Sequence, residues 1–313
     1  LVKGSLLEPV YGPLGNEEMA RVLDNTDVYR VVTEEGKPGR KVHKEIKKFP
    51  SISQPVFCGT CHDVTLFNGF RLEEAYSEYR TSPAAARGTT CQDCHMGKEQ
   101  GVASGYDVGP GAVVGGKPTK DRKITSHFFA GPDYSVIHPG IFPHNAEAQE
   151  MASMAEWLDF DHKAGWGTDE FEDKVTEGTK FPVRWDSVDD RYDAREILNS
   201  QFEHLEFGRN LRMEVLRNGY GLGEIVTDQS SEGGIRFRVK VNNKTDGHNV
   251  PTGFTGERLV WLHVVVTDRD GKIVLESGDL DPNGDVRDRE SSFVHNGELP
   301  LDSQLFDIRS RFV

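Results

Sequence analysis

All four cysteines of this chain fall in two copies of one short pattern, and nothing else in it constrains the fold as strongly. The copies are Cys58-Gly-Thr-Cys61-His62 and, thirty-three residues on, Cys91-Gln-Asp-Cys94-His95. Two thiols at this spacing match the two vinyl groups of one porphyrin, and the adjacent imidazole is placed to meet its iron. A thioredoxin-like redox pair needs no His after its second Cys, and a four-thiolate zinc site needs neither His. The pattern therefore predicts two sites for covalent haem c, on Cys58 with Cys61 and on Cys91 with Cys94. His62 and His95 would be the proximal iron ligands. A porphyrin tethered in this way can occupy the place of an apolar core, so a loop-rich fold around it is expected.

Composition narrows the partners. The 313 residues carry a formal charge of −14, which argues against nucleic acid or an anionic membrane as the natural partner. No apolar run reaches the roughly 18 residues of a membrane span. Haem is joined to such motifs outside the cytoplasm, so a periplasmic or extracellular location is expected. The chain opens at Leu1 rather than Met and closes on a segment, Phe306–Val313, that reads as structured. A processed N-terminus or a partial chain is expected, with the natural polypeptide longer at either end.

Taken in order, residues 1–50 are polar, with a short helix expected near Asn16–Leu23. His43 sits in the basic run Lys41–Lys48, fifteen residues before the first motif, and is a candidate distal iron ligand. The apolar spacing of Leu66–Arg80 predicts a helix between the two motifs. Residues 98–122 read as an exposed loop. Ser126-His127-Phe128-Phe129-Ala130-Gly131 presents an imidazole between residues suited to a porphyrin face, which makes His127 a second distal candidate. His138 and His144 are weaker ones in a Pro-rich stretch. Helices are expected over Asn145–Phe160, from an Asn cap, and over Asp193–Arg217, closed by Gly219.

At Gly221 the apolar period shifts from 3.6 to 2. Strands are expected at Ile235–Val241, Leu259–Val266 and Lys272–Ser277, the last two joined by the turn Asp268-Arg269-Asp270-Gly271. Between the first two lies Gly247-His248-Asn249-Val250-Pro251-Thr252-Gly253. Glycines at both ends and a stiffening proline suit a loop that projects one imidazole, so His248 is the third distal candidate. A separate segment, Asp279 to Glu290, has the ligand spacing of a calcium loop: Asp279, Asp281, Asn283, Asp285 and Glu290, with Gly284 at the turn. Arg287 within it favours the alternative, a solvated acidic turn.

The two Cys motifs, together with the His127 and His248 segments and Trp261-Leu262-His263-Val264, resemble the haem-binding stretches of secreted multihaem c-type cytochromes. That resemblance covers most of residues 43–300. It implies bis-histidine haems, electron transfer and export, with distal roles on His127 and His248 and His43 next. Many relatives carry four or more haems, so a surplus His could serve a haem outside this chain.

The resulting expectation is an α+β protein in three parts. A loop- and helix-rich dihaem region spans 1–144, a helical segment 145–220, and a β-sandwich-like (Ig-like) domain 221–313. Its function would be electron transfer, alone or as a subunit of a larger haem chain or filament, with redox proteins, further haem subunits or copies of itself as partners. The alternative is a haem oxidoreductase acting on a small nitrogen or sulfur compound at an iron with one open position.

Overall fold

The computed structural model describes residues 9–12, 17–132, 145–231 and 234–309. His138 and His144 lie outside them. The fold is mixed α and β, as the residue pattern requires. Among the described residues every ladder is two-stranded. The chain divides into two units, Leu1–Cys91 with Thr245–Val313, and Gln92–Lys244. The first Cys motif falls in the same unit as the C-terminal strands, while the first strand pair of the expected β domain stays with the long helix.

In the first unit, the Pro55–Gly59 helix carries Cys58 and starts at Pro55, whose missing N–H costs a helix nothing at that position. The helix expected over Leu66–Arg80 is confined to Ala75–Arg80. The stretch before it pairs instead as Val64–Thr65 with Arg71–Glu73, turning at Gly69, whose φ is +86°. Only Gly adopts that conformation without strain, which is why the helical period is interrupted there. The expected strand Leu259–Val266 is two strands. Leu259–Trp261 pairs with Asp307–Arg309, and Val264–Thr267 pairs with Ile273–Ser277 across the predicted turn. In that turn Asp268 accepts from the backbone N–H groups of Asp270 and Lys272.

This unit is short of a protein core. Among its described residues the buried apolar side chains are Val22, Tyr29, Val31, Ala84 and Val286. A body of this length ordinarily closes around many more.

The second unit has a compact aromatic core. Trp157, Phe160, Trp185 and Leu198 pack with Ala148, Ala152 and Ala194. Both buried indoles find acceptors: Trp157 Nε1 donates to the Ala148 carbonyl at 2.8 Å, and Trp185 Nε1 to that of Glu156 at 2.7 Å. The expected helix Asn145–Phe160 is two helices, Ala146–Met151 and Met154–Leu158. Asn145 caps the first, as predicted, and a Ser153/Glu156 capping box starts the second. The long helix runs Val188–Gly219, five residues earlier than the apolar period alone suggests, because Ser187 caps it by accepting from Asp190 N–H. It continues straight into a hairpin, Tyr220–Ser231 with Gly234–Asn243. The stretch expected as a loop, 98–122, holds two ladders, Asp107–Pro110 with Asp121–Ile124 and Val113–Val114 with Lys117–Pro118.

No described helix is long and apolar enough to cross a membrane.

Candidate haem attachment sites

The first Cys-x-x-Cys-His closes as a tight turn: Cys61 N–H and His62 N–H both donate to the Cys58 carbonyl, at 3.1 and 2.9 Å. Gly59 is required within it, because a Cβ there would lie 2.6 Å from the ring of Tyr76. The Ala75–Arg80 helix is thereby seated on the motif, and Tyr76 N–H donates to the His62 carbonyl at 2.9 Å. Its Tyr79 hydroxyl donates to the carbonyl of Thr89, two residues before Cys91. One short helix thus contacts the first motif and the residues just before Cys91. The hydrogen bond from the Cys91 thiol beside it holds the Cys58 thiol below its ordinary value, at about 7.

The same helix holds the loop that carries His248. The Glu78 carboxylate accepts from Asn249 N–H at 3.0 Å, Asn249 Nδ2 at 2.9 Å and Thr252 Oγ1 at 2.7 Å. On the other flank of the loop, Asp246 pairs with Arg87 at 2.6 Å and accepts from Ala84 N–H. Gly253, at φ +73°, leaves room for Glu73: a Cβ at 253 would meet its Oε2 at 2.9 Å. That same carboxylate oxygen lies 3.8 Å from His62 Nδ1. His248 Nδ1 lies 2.7 Å from the Asn249 carbonyl and donates to it, which leaves the lone pair on Nε2. Metal-ligating imidazoles are held in this tautomer by this type of bond.

The second motif forms the Cys91–His95 helix. Within it Asp93 accepts from the Tyr106 hydroxyl at 2.6 Å, while Lys123 Nζ sits 3.3 Å from the centre of the Tyr106 ring. Burial first, and then the Asp93 carboxylate, push the Tyr106 hydroxyl well above its ordinary value. The Met96 carbonyl, just after His95, accepts from Ser126 N–H at 3.0 Å, which brings the His127 segment beside the motif. Phe128 packs on Phe207 of the long helix with ring centres 4.8 Å apart. Phe129 takes φ +48°, a conformation uncommon for a bulky residue. Gln100 ties the following turn to the same helix, donating its N–H to Glu214 and accepting from Asn218 Nδ2.

His43 shares the first unit with Cys58, Cys61, His62 and His248, and its Nδ1 is buried without a hydrogen-bond partner. The chemistry of the donor set fits haem. No disulfide joins the four cysteines, each motif has a candidate distal imidazole in its own neighbourhood, and few apolar side chains are buried among the described residues of the first unit. Exposed aromatics by the motifs, Phe57, Phe128 and Phe129, suit the same role.

The acidic segment is different. Asp279 pairs with Arg287, Asp281 accepts from Asn283 N–H, Asp285 N–H and Ser291 Oγ, and the Asp285 carbonyl accepts from Asp281 N–H. Two of the expected calcium ligands, Asp279 and Asp281, are thus engaged by protein donors. Among the described residues no group of three or more His, Cys, Asp and Glu is gathered as a metal site.

Sequence reasoning missed Glu78, Glu73, Tyr76, Tyr79 and Tyr106. Glu78 lies 171 residues from Asn249, and a charged residue in a short surface helix carries no sign of such a bond. Comparison of the chain with protein-family models, with curated proteins and with solved structures finds no match.

Proposed function

We propose that this chain is an exported electron-transfer protein that carries two covalently attached c-type haems, each held by imidazole on both faces. The observation that carries this reading is the setting of His248. Glu78, on the helix seated against the first motif, clasps its loop, and its Nδ1 is committed to a carbonyl. His127 stands in a similar relation to the second motif through the Ser126–Met96 bond.

Haem supplies a reversible one-electron iron couple. The remaining chemistry belongs to the chain. Cys58 with Cys61, and Cys91 with Cys94, would each hold one haem through thioether bonds. His62 and His95 would be the proximal iron ligands, and His248 and His127 would be the distal ones, with His43 as the further candidate. Saturated irons would bind no substrate, so function reduces to exchanging electrons with redox proteins or further haem subunits. The oxidoreductase alternative requires an iron with an open position, and three candidate distal imidazoles for two irons argue against it. The strand pairs at 259–277 and 307–309 are consistent with a β-sandwich-like module whose loop carries His248. For the 279–290 segment we favour the self-bonded acidic turn over calcium.

The test is a visible spectrum of the purified protein. Low-spin bands in both oxidation states, unchanged by carbon monoxide, are expected. A high-spin band or carbon monoxide binding would favour the enzyme.

A further inference from the structure

The hairpin that continues the long helix is an arm much of which is exposed among the described residues. Residues opposite one another in an antiparallel ladder share a face. Leu222 opposes Val241, Ile225 opposes Val239, and Ser230 opposes Ile235, so one face of the arm is apolar. Leu222, Ile225 and Ile235 are 70%, 65% and 61% exposed. The other face carries Arg236, Arg238 and Lys240. Asp228 engages Arg238 at 2.8 Å, whereas Arg236 and Lys240 have no acidic partner among the described residues. A lone two-stranded hairpin is marginally stable in water, and its two free edges and apolar face call for a surface to lie on.

A surface of complementary chemistry lies toward the other end of the same helix. Residues 145–206 hold seventeen carboxylates against six Lys and Arg, which concentrates most of the chain's negative charge there. An open groove of about 600 Å³ runs between the Ala146–Met151 helix and the long helix. Met151 and Ile197 give it apolar surface, and Glu147, Glu150, Asp193 and Glu196 line it. None of these four has a Lys or Arg partner among the described residues.

We propose that the arm of one copy of this chain docks on the acidic groove of the next. Apolar surface then meets apolar surface, and Arg236 and Lys240, long side chains on a narrow ribbon, reach the groove carboxylates past its edge. Glu196 and Gly219 are about 35 Å apart along the helix axis, so the two surfaces are separate patches. The arm residues Glu224–Ser231 are exposed, so the arm is not folded back along its own helix. An interface between two different patches is heterologous. It joins copies head to tail, as a ring or an open filament. This inference concerns assembly and stands whether or not the haem reading holds.

The test uses the purified full chain, two charge-reversed variants and sedimentation velocity. Wild-type protein should associate at low salt and fall to single copies near 1 M salt, where charge interactions are screened beyond about 3 Å. Glu147→Lys with Glu150→Lys, and separately Arg236→Glu with Lys240→Glu, should each weaken self-association on the order of tenfold or more. Mixing the two variants should restore it, because every mixed contact again joins opposite charges; this recovery also shows that both variants are folded. A wild-type protein that stays single at low salt overturns the proposal. So does retained self-association in either variant, as arm-to-arm pairing would give, or failure of the mixture to recover. The visible spectrum, unchanged throughout, keeps this outcome separate from the haem assignment.

Discussion

Glu78 and Asn249 lie 171 positions apart in the chain, yet the Glu78 carboxylate takes both the backbone and the side-chain N–H of Asn249, at 3.0 and 2.9 Å. This clasp ties the loop that carries His248 to the helix seated on the first Cys motif. Glu78→Ala should cost about 2 kcal/mol, since several charge-assisted bonds to one carboxylate are lost together. It should also let a high-spin fraction appear. Denaturant unfolding and the visible spectrum of one sample measure both, and an unchanged spectrum would separate the clasp from iron ligation.

Replacing the proposed distal ligands one at a time should have distinct results. His248→Ala and His127→Ala should each convert one haem to high spin, and the double variant should convert both. His43→Ala, read on dispersed single copies, should leave both low-spin. A low-spin His248→Ala protein would remove that residue from the ligand set.

The turn at the first Cys motif and the start of its helix were legible because they are local: Pro55 opens the helix, and Cys61 and His62 donate to the Cys58 carbonyl within the motif itself. What lay beyond the sequence is how such pieces connect. Tyr76 on Gly59, Glu78 on Asn249 and Tyr106 on Asp93 are contacts of ordinary surface residues, decided only when distant segments meet. The helix expected over Leu66–Arg80 failed at its N-terminal half because Gly69 turns the chain and the flanking residues pair as strands. The turn at Asp268–Gly271 was readable because Asp and Gly fix its backbone without outside help.

A second buried feature governs acid stability. Arg191 and Glu172 form an ion pair whose side chains are 3% and 5% exposed, and Arg191 also donates to the carbonyls of Trp185 and Asp186. Glu172→Ala should destabilise the second unit by about 3–5 kcal/mol, because it leaves a buried guanidinium unpaired. The Arg191 hydrogen bond holds the Glu172 carboxyl below its ordinary value. A depressed carboxyl contributes its stability fully above its unfolded value and loses it as pH falls through the folded one. Unfolding free energy should therefore drop on acidification below about pH 4. Glu172→Gln should flatten that slope.

The aromatic core of the second unit makes a separate prediction. Trp185 is fully buried between Trp157 and Phe160, so Trp185→Ala should cost about 3–5 kcal/mol in transfer and cavity terms. Calorimetric melting should show it, while the low-spin spectrum expected of the haem proposed for the first unit should be kept in protein that remains folded.

Covalent porphyrin at both Cys motifs is the central proposal, and intact-mass spectrometry tests it most directly. Protein made in cells with working cytochrome-maturation machinery, then extracted with acid–acetone, should weigh the polypeptide plus two haems. Replacing Cys58 with Cys61, or Cys91 with Cys94, by Ala should remove one haem each. A polypeptide at its bare mass would contradict the account.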